Sequence, residues 1–216
     1  MNNTPVKIVV IHDNLDYFPD KLEMSPPLMA TLALKYSVNN VVFFKHSNAG
    51  LEYVLENSGK QKMVVLLDKN FEDRRDIDGI KVFEKIREKT SLVYVILTSV
   101  SSLSGLEEED LTYLINHELF GFISFASDYS SIVALIEKAV EHLELRIDCV
   151  IEEWIMKHPP EKRTQPLVKL KDGRSYSMNE VLESIRKQTQ VGIDFEKSLL
   201  KLSIELFSRQ KLKLND

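Results

Sequence analysis

The chain has almost no cysteine and no long apolar run, and both absences limit where it can work. Its single cysteine, Cys149, cannot form an intramolecular disulfide and has no Cys/His cluster near it, which indicates a reducing compartment. The first apolar run, residues 8–11, is too short for a signal peptide or a membrane span. With 44% hydrophobic and 28% charged residues, the composition is that of a globular protein. We therefore expect a soluble, cytoplasmic protein that does not bind a membrane.

Recognisable catalytic motifs are also missing. The sequence has no glycine-rich phosphate loop, no nucleophile elbow and no catalytic triad, so an enzyme is not the expected class. The net charge of −5 is unevenly distributed: residues 1–160 contain 16 Lys and Arg against 25 Asp and Glu, and residues 161–216 contain 12 against 8. A basic excess of this size is typical of a solvated surface, and nucleic-acid binding is not favoured.

Short apolar runs and amphipathic segments alternate along the first two-thirds of the chain. The runs are continuous and rich in β-branched residues, as in strands buried on both faces, and they cover residues 6–11, 40–44, 63–67, 92–98 and 120–125. Apolar positions at helical spacing predict helices over residues 28–36, 49–55, 80–88 and 107–117. This pattern predicts an α/β domain with a five-stranded parallel sheet and helices on both faces.

A fifth helix is predicted to run from about Ser130 to Met156. Its apolar positions alternate in steps of four and three, the spacing of a helix that packs along another helix: Ile136, Val140, Leu143, Ile147, Val150 and Trp154. The second half of this extended helix would form a dimer stem or pack on the C-terminal segment, and the sequence favours neither. Pro159 and Pro160 are expected to end it, and residues 161–165 to form a linker.

The C-terminal segment predicts a small, mainly helical module. Residues 167–170 and the turn at Asp172-Gly173 predict a short strand or hairpin. Ser177 and Glu180 have the spacing of a capping box that opens a helix. Since this segment is too small to hold a large core alone, we expect it to dock on other parts of the chain or on a second chain.

Gly192 is expected to break the helical pattern of this segment. Asp194 would then cap a last amphipathic helix over residues 195–209. The sequence therefore predicts two helices joined by a turn near its C-terminal end.

Polar residues follow the predicted strands at their carboxyl ends, where open α/β sheets bind their ligands. They are His12, Asp13 and Asn14, then Asp68, Lys69 and Asn70, then Thr98 and Ser99, and last Ser127 and Asp128. Two carboxylates that meet at such an edge suit Mg²⁺, which prefers oxygen ligands. Asp13 and Asp68 also fit helix-capping roles, but together with Thr98 they favour a site. His12 is favoured as a polar neighbour over a metal ligand, because no His/Cys set accompanies it.

Four stretches of the sequence, IVVIHDN, MVVLLDKN, DIDGIKVFEKIR and VILTS, carry a family resemblance. Over residues 5–145 the chain resembles the receiver domains of response regulators, the CheY-like family. The resemblance implies a flavodoxin-like, doubly wound, five-stranded parallel sheet. With the helix pattern it predicts a receiver-like domain over 1–145, an extended helix and linker over 146–165, and a small helical module over 166–216.

The resemblance also implies a role for each strand-end residue. Asp68 would be the phosphoacceptor and a metal ligand. Asp13 would be the principal Mg²⁺ ligand, and Asn70 would contribute its backbone carbonyl. Thr98 and Phe125 would be the switch residues that move when Asp68 is phosphorylated.

The sequence departs from the family pattern in the same pocket. His12 replaces the first of the family's paired acids, and Asp128 stands where the family has a lysine after strand five. Without that lysine, a cation that pairs with the phosphoryl oxygens is lost, and Asp128 brings like charge toward them. Two interpretations stay open: a receiver phosphorylated at Asp68, and a pseudo-receiver that acts by binding alone.

The predicted function is that of an atypical receiver protein in intracellular signal transduction. Its predicted cofactor is Mg²⁺, and its predicted partners are a histidine kinase or other phosphodonor, a protein that binds the receiver surface or the C-terminal helices, and a second copy of the chain. The alternative is a DNA-binding transcriptional regulator that uses residues 179–187 and 195–209 as a helix-turn-helix. The last helix, however, has few of the polar positions that base reading needs.

Overall fold

A computed structural model describes residues 5–13, 28–100, 102–124, 129–170 and 172–210 of the chain. The chain divides into two compact units between Arg146 and Ile147, which we call the first unit and the second unit. None of the helices in the described ranges is long and apolar enough to cross a membrane.

The first unit is built on a five-stranded parallel sheet. Its strands are β1 (Lys7–Ile11), β2 (Val41–Phe44), β3 (Met63–Asp68), β4 (Tyr94–Ser99) and β5 (Gly121–Ser124). They lie in the order β2-β1-β3-β4-β5, which is the flavodoxin-like doubly wound arrangement. This confirms the predicted fold class, and each strand begins and ends within two residues of its predicted bounds.

Burial on both faces explains why the sequences of these strands are continuous apolar runs. Every residue of β3 is buried, and so are four of the five residues of β1 and five of the six residues of β4. These strands occupy the middle of the sheet, where helices cover both faces, so an alternating polar pattern would place polar groups in the core. β2, at the edge, is only half-buried.

The helices of the first unit also match the predicted pattern. They are α1 (Leu28–Tyr36), α2 (Ser47–Asn57), α3 (Gly79–Lys89), α4 (Glu108–Asn116) and α5 (Tyr129–Glu144). Short 3-10 turns, Val38–Asn40 and Leu103–Gly105, precede β2 and α4. The helix α3 is amphipathic and packs Ile80, Phe83 and Ile86 into the core that lies against the sheet.

The prediction of one extended fifth helix was wrong. α5 ends at Glu144, and a separate helix, α6 (Ile147–Met156), begins after a two-residue break. At the break the Arg146 guanidinium donates to the Leu92 carbonyl and lies over the Tyr94 ring, which holds this end of α5 within the first unit. The apolar face of α6 instead lies in the core of the second unit. The predicted apolar stripe does not continue as one buried face across the break, because Val150 and Trp154 are exposed and α6 buries Ile151 and Ile155 instead.

The second unit combines helices with one hairpin. After α6 come α7 (Pro160–Arg163), β6 (Pro166–Lys169), β7 (Ser175–Ser177), α8 (Met178–Arg186) and α9 (Gln190–Gln210). β6 and β7 are antiparallel, which confirms the predicted hairpin. The predicted capping box is also confirmed: the Glu180 amide donates to Ser177 Oγ at 3.3 Å, and the Ser177 amide donates to the Glu180 carboxylate at 2.8 Å. Four buried residues form the small core: Ile151, Ile155, Val181 and Ile185.

Gly192 does not end a helix, which corrects the sequence prediction. α9 already begins at Gln190, and both Gly192 and Asp194 lie inside it. The turn is made by Gln188, whose φ is 50°. A Cβ at position 192 would lie 2.3 Å from the Ser184 carbonyl oxygen, so glycine is needed here because α8 and α9 approach closely.

Candidate functional site

The ends of β1 and β3 bring three predicted site residues together. Because Ile11 pairs with Leu67 in the register of these neighbouring strands, His12 and Asp68 come next on the same edge of the sheet. Both are almost fully buried, with exposed fractions of 3% and 4%. His12 Nε2 lies 3.7 Å from Asp68 Oδ2, and His12 Nδ1 lies 3.4 Å from Asp13 Oδ1. The imidazole therefore lies between two carboxylates.

Burial controls the charge of Asp68. It raises the pKa of this carboxyl to about 7, and the neighbouring negative charge of Asp13 acts in the same direction. The backbone amide of Asn70 and, to a smaller extent, that of Lys69 oppose the shift. Near neutral pH, Asp68 is thus divided between its charged and neutral forms unless a cation favours the charged form.

Burial acts on His12 in the opposite sense. It lowers the pKa of the imidazole to about 4, although the Asp13 carboxylate opposes this shift. The ring is therefore neutral at physiological pH. A neutral imidazole has one nitrogen that carries a proton and one with a free lone pair.

Thr98 and Asn70 lie at the same edge of the sheet. Thr98 is the register partner of Asp68 on β4, and its buried hydroxyl donates to the Leu67 carbonyl at 3.2 Å. Asn70 follows β3 directly after Lys69 and is exposed. Phe125 and Asp128, the other two predicted pocket residues, lie outside the described residues.

The loop between β3 and α3 contacts the site in a way that the sequence did not predict. The Glu72 amide donates to Asp13 Oδ2 at 2.7 Å. Farther along the loop, the Asp76 carboxylate lies 3.0 Å from His46 Nδ1 and accepts from Ser47 Oγ at 3.2 Å, next to the start of α2. The loop is therefore anchored at two points, one of which is a candidate metal ligand.

Gly79 allows α3 to begin directly beneath the site. A Cβ at this position would lie 2.1 Å from the Asp68 carbonyl oxygen and 2.8 Å from Lys69 Cα. Both neighbours are backbone atoms and cannot move aside easily. The preceding residue, Asp78, caps the helix by accepting from the Ile80 amide at 2.8 Å.

Replacing Gly79 by alanine is expected to destabilise the first unit by about 2 kcal/mol or more, because the added methyl group forces the end of β3 away from α3. Urea denaturation followed by far-ultraviolet circular dichroism measures the change. The control is Lys81→Ala, at an exposed position two residues later in the same helix, for which we expect a change of at most about 0.5 kcal/mol. Equal stability of the two variants would contradict the close approach of Asp68 and Gly79.

The donor set of the site fits a divalent cation. Asp68 Oδ1 is buried and has no hydrogen-bond partner among the described residues, which is costly for a carboxylate oxygen. One donor atom each from His12, Asp13 and Asp68 lie within 4.8 Å of one another. Asp68 and Asp13 repel each other when both are charged, and a cation between them offsets that repulsion.

Comparison with known proteins gives matches in structure only. No protein-family model matches the chain, and no curated protein matches it in sequence. NtrX from Brucella abortus matches 83% of this chain at 16% identity with a TM-score of 0.50, and the match spans 33% of the NtrX chain.

Two receiver domains illustrate the remaining similarities. The signal receiver domain of an HD domain-containing protein from Pseudomonas fluorescens Pf-5 covers 66% of this chain and 98% of its own length, at 15% identity and a TM-score of 0.46. The signal receiver domain of a modulated diguanylate cyclase from Desulfovibrio desulfuricans G20 covers 65% and 97%, at 13% identity and a TM-score of 0.44. At these identities the similarity concerns the fold. With its β2-β1-β3-β4-β5 parallel sheet, the first unit of this chain has the fold of the response-regulator receiver domains, as the sequence predicted.

Proposed function

We propose that the chain is an atypical receiver protein of intracellular signal transduction, in which Asp68 accepts a phosphoryl group. The observation that carries the proposal is the position of Asp68. It ends the central strand β3 at the carboxyl edge of the sheet, beside Asp13 and opposite Thr98. Ligands of open α/β sheets collect at this edge.

The proposed reaction is a nucleophilic displacement at phosphorus. A carboxylate oxygen of Asp68 forms a bond to the phosphorus atom as the bond from phosphorus to the donor's leaving atom breaks. The leaving group departs with the electron pair and takes a proton from solvent, and an acyl phosphate remains on Asp68. Only the charged form of Asp68 is nucleophilic, so in the cation-free site its raised pKa slows the reaction below about pH 7, and a bound cation opposes this effect.

The residues around Asp68 support this chemistry by position. A bound divalent cation would neutralise charge on the phosphoryl oxygens and on Asp68. The Asn70 amide hydrogen-bonds to the carboxylate. The Thr98 hydroxyl, now bonded to the Leu67 carbonyl, is close enough in register to turn toward a phosphoryl group.

The output of the protein is proposed to be a contact with another protein. The last turns of α9 expose large apolar side chains: Leu200, Leu202, Ile204, Leu206 and Phe207. Such side chains favour a protein partner over a nucleic acid, whose phosphates and base edges need basic and polar groups. For this reason we favour signalling by recruitment over the DNA-binding alternative.

Mass spectrometry of the intact protein tests the proposal. The full chain is incubated with a small-molecule phosphodonor, such as acetyl phosphate, and with Mg²⁺ or Mn²⁺. We expect the wild type to gain one phosphoryl group, Asp68→Asn to gain none and Asp13→Ala to react at least about tenfold more slowly, because it lacks a carboxylate of the cation site.

Asp194→Asn is the matched control, because this carboxylate is exposed on α9. It should be phosphorylated as the wild type is. A phosphoryl group that persists in Asp68→Asn would refute the assignment of the acceptor. A folded wild type that gains none under these conditions would instead support a pseudo-receiver that acts by binding alone.

A further inference from the structure

His12 adds a nitrogen to a donor set that otherwise consists of oxygens. The residue directly follows β1, is buried, and lies with its ring between Asp13 and Asp68. One donor atom from each of the three side chains falls within a group of atoms no more than 4.8 Å apart. The arrangement therefore offers a cation the imidazole and the Asp68 carboxylate, with the Asp13 carboxylate at the other ring nitrogen.

The spacing of these atoms suits ligands of a shared ion. His12 Nε2 and Asp68 Oδ2 are 3.7 Å apart, which is too long for a hydrogen bond. Two ligand atoms that are each about 2.1 Å from one cation are roughly 3.0 to 4.2 Å apart, depending on the angle between them. Asp68 also has a buried oxygen, Oδ1, that no described residue hydrogen-bonds. Both observations point to an ion beside Asp68.

Asp13 lies beside the ring nitrogen that is not the one facing Asp68. Its Oδ1 lies 3.4 Å from His12 Nδ1, which favours the tautomer that carries the proton on Nδ1. The lone pair then resides on Nε2, the nitrogen that faces Asp68. Metal-binding histidines are commonly oriented in this way, by a carboxylate at the nitrogen that does not bind the metal.

We propose that His12 is a metal ligand through Nε2 and that the site prefers a divalent first-row transition cation to Mg²⁺. Mg²⁺ is a hard cation that takes oxygen ligands and dehydrates reluctantly. Imidazole, by contrast, suits the later divalent ions of the first transition row. The inference rests on the site of the proposed function and adds the class of cation that this site selects.

Binding of Co²⁺ and Mg²⁺ to the full chain tests the preference by calorimetry. In His12→Asp the donor set contains only oxygens, so the ratio of Co²⁺ affinity to Mg²⁺ affinity should fall at least about tenfold from the wild-type value. Pulsed electron paramagnetic resonance of the Mn²⁺-loaded protein provides direct evidence on the ligand. We expect coupling to a directly bound ¹⁴N in the wild type and its loss in His12→Asp. If His12→Asp does not fold, His12→Gln should show the same loss.

His46→Gln is the matched control, because His46, Asp73 and Asp76 form the other group of candidate metal ligands among the residues that the structure describes. Nitrogen coupling should persist in this variant. Coupling that survives in the His12 variants, or an unchanged affinity ratio, would overturn the proposal.

Phosphorylation is measured on the same samples. A wild type that accepts a phosphoryl group but shows no nitrogen coupling would refute the cation assignment and leave the proposed function intact. A nitrogen-coordinated cation in a chain that is never phosphorylated would refute the proposed function and leave the cation assignment intact.

Discussion

Replacing Asp68 by asparagine is expected to stabilise the first unit at pH 8 while removing its phosphoacceptor. In the folded protein the pKa of Asp68 is raised to about 7, mainly by burial. A carboxyl whose pKa is higher in the folded than in the unfolded state stabilises the fold at low pH, and this contribution is lost as the pH rises through the folded value. Without a bound cation, the wild type therefore loses stability between about pH 4 and pH 7, whereas an asparagine at this position does not titrate.

The expected gain in the free energy of unfolding of Asp68→Asn over the wild type is roughly 2–4 kcal/mol at pH 8, and close to zero near pH 4. The asparagine side-chain oxygen can still accept from the Asn70 amide. His12 is present in both proteins, so its own titration cancels to first order. Hydrogen–deuterium exchange of peptides that cover β3 measures the stability of this unit alone.

Asp78→Asn is the control for this result. Its carboxylate is exposed and caps α3, and asparagine is an equally good cap, so we expect a change of at most about 0.5 kcal/mol at either pH. If Asp68→Asn showed the same small, pH-independent change, the low-dielectric environment of Asp68 would be ruled out.

Replacing Arg186 by methionine is expected to unfold the second unit at room temperature. Arg186 is 3% exposed, and its guanidinium lies 3.4 Å from the Asp148 carboxylate and 2.9 Å from the Glu152 carboxylate. Both carboxylates are buried on α6. Removing a buried cation that pairs with two buried carboxylates leaves uncompensated buried charge and costs about 3–5 kcal/mol. A unit of this size has little stability beyond that amount.

Trp154 fluorescence reports this loss, because Trp154 is the only tryptophan in the sequence and lies on α6. Arg209→Met is the control, since Arg209 and Glu205 form an exposed pair on α9 that contributes at most about 0.5 kcal/mol. A triple variant, Arg186→Met with Asp148→Leu and Glu152→Met, should recover much of the stability, because a buried ion group and an apolar group of similar volume are often equivalent. Unfolding that is equally severe in the triple variant would show that Arg186 acts mainly through its shape.

Burial on both faces made the central sheet predictable from the sequence. A strand that is buried on both faces, such as β3, must be apolar at every position, whereas a helix of similar length need not be. The positions of these strands therefore follow from the runs of apolar residues alone. The break between α5 and α6 could not be predicted in this way. Helical spacing continues through it, and only the contacts of Arg146 with Leu92 and Tyr94 show where one helix ends.

Gly192 was misread for a related reason. Sequence alone does not distinguish a glycine that breaks a helix from one that lets two helices approach. The close contact of Gly192 with the Ser184 carbonyl, which requires a glycine at this position, is formed only when α8 and α9 pack together.

The candidate site shows the same limit. Open α/β sheets bind ligands at the carboxyl ends of their strands, and this rule placed four site residues at one edge of the sheet: His12, Asp13, Asp68 and Thr98. The rule needs only the positions where the strands end. The same rule does not predict the contacts of the loop after β3. Glu72 approaches Asp13 through a backbone amide, which has no signature in the side-chain sequence. The anchoring of Asp76 at Ser47 joins residues that are far apart along the chain.

The hydrogen bond from the Glu72 amide to Asp13 couples the position of the loop after β3 to ligand binding at the cation site. A ligand that displaces the Glu72 amide from Asp13 Oδ2 favours release of the loop. Consider a partner that binds only the released loop. Linkage then requires that the partner and the ligand raise each other's affinity for the protein by the same factor. A second protein that binds the surface loop could therefore set the cation affinity of the buried site without touching Asp13 or Asp68.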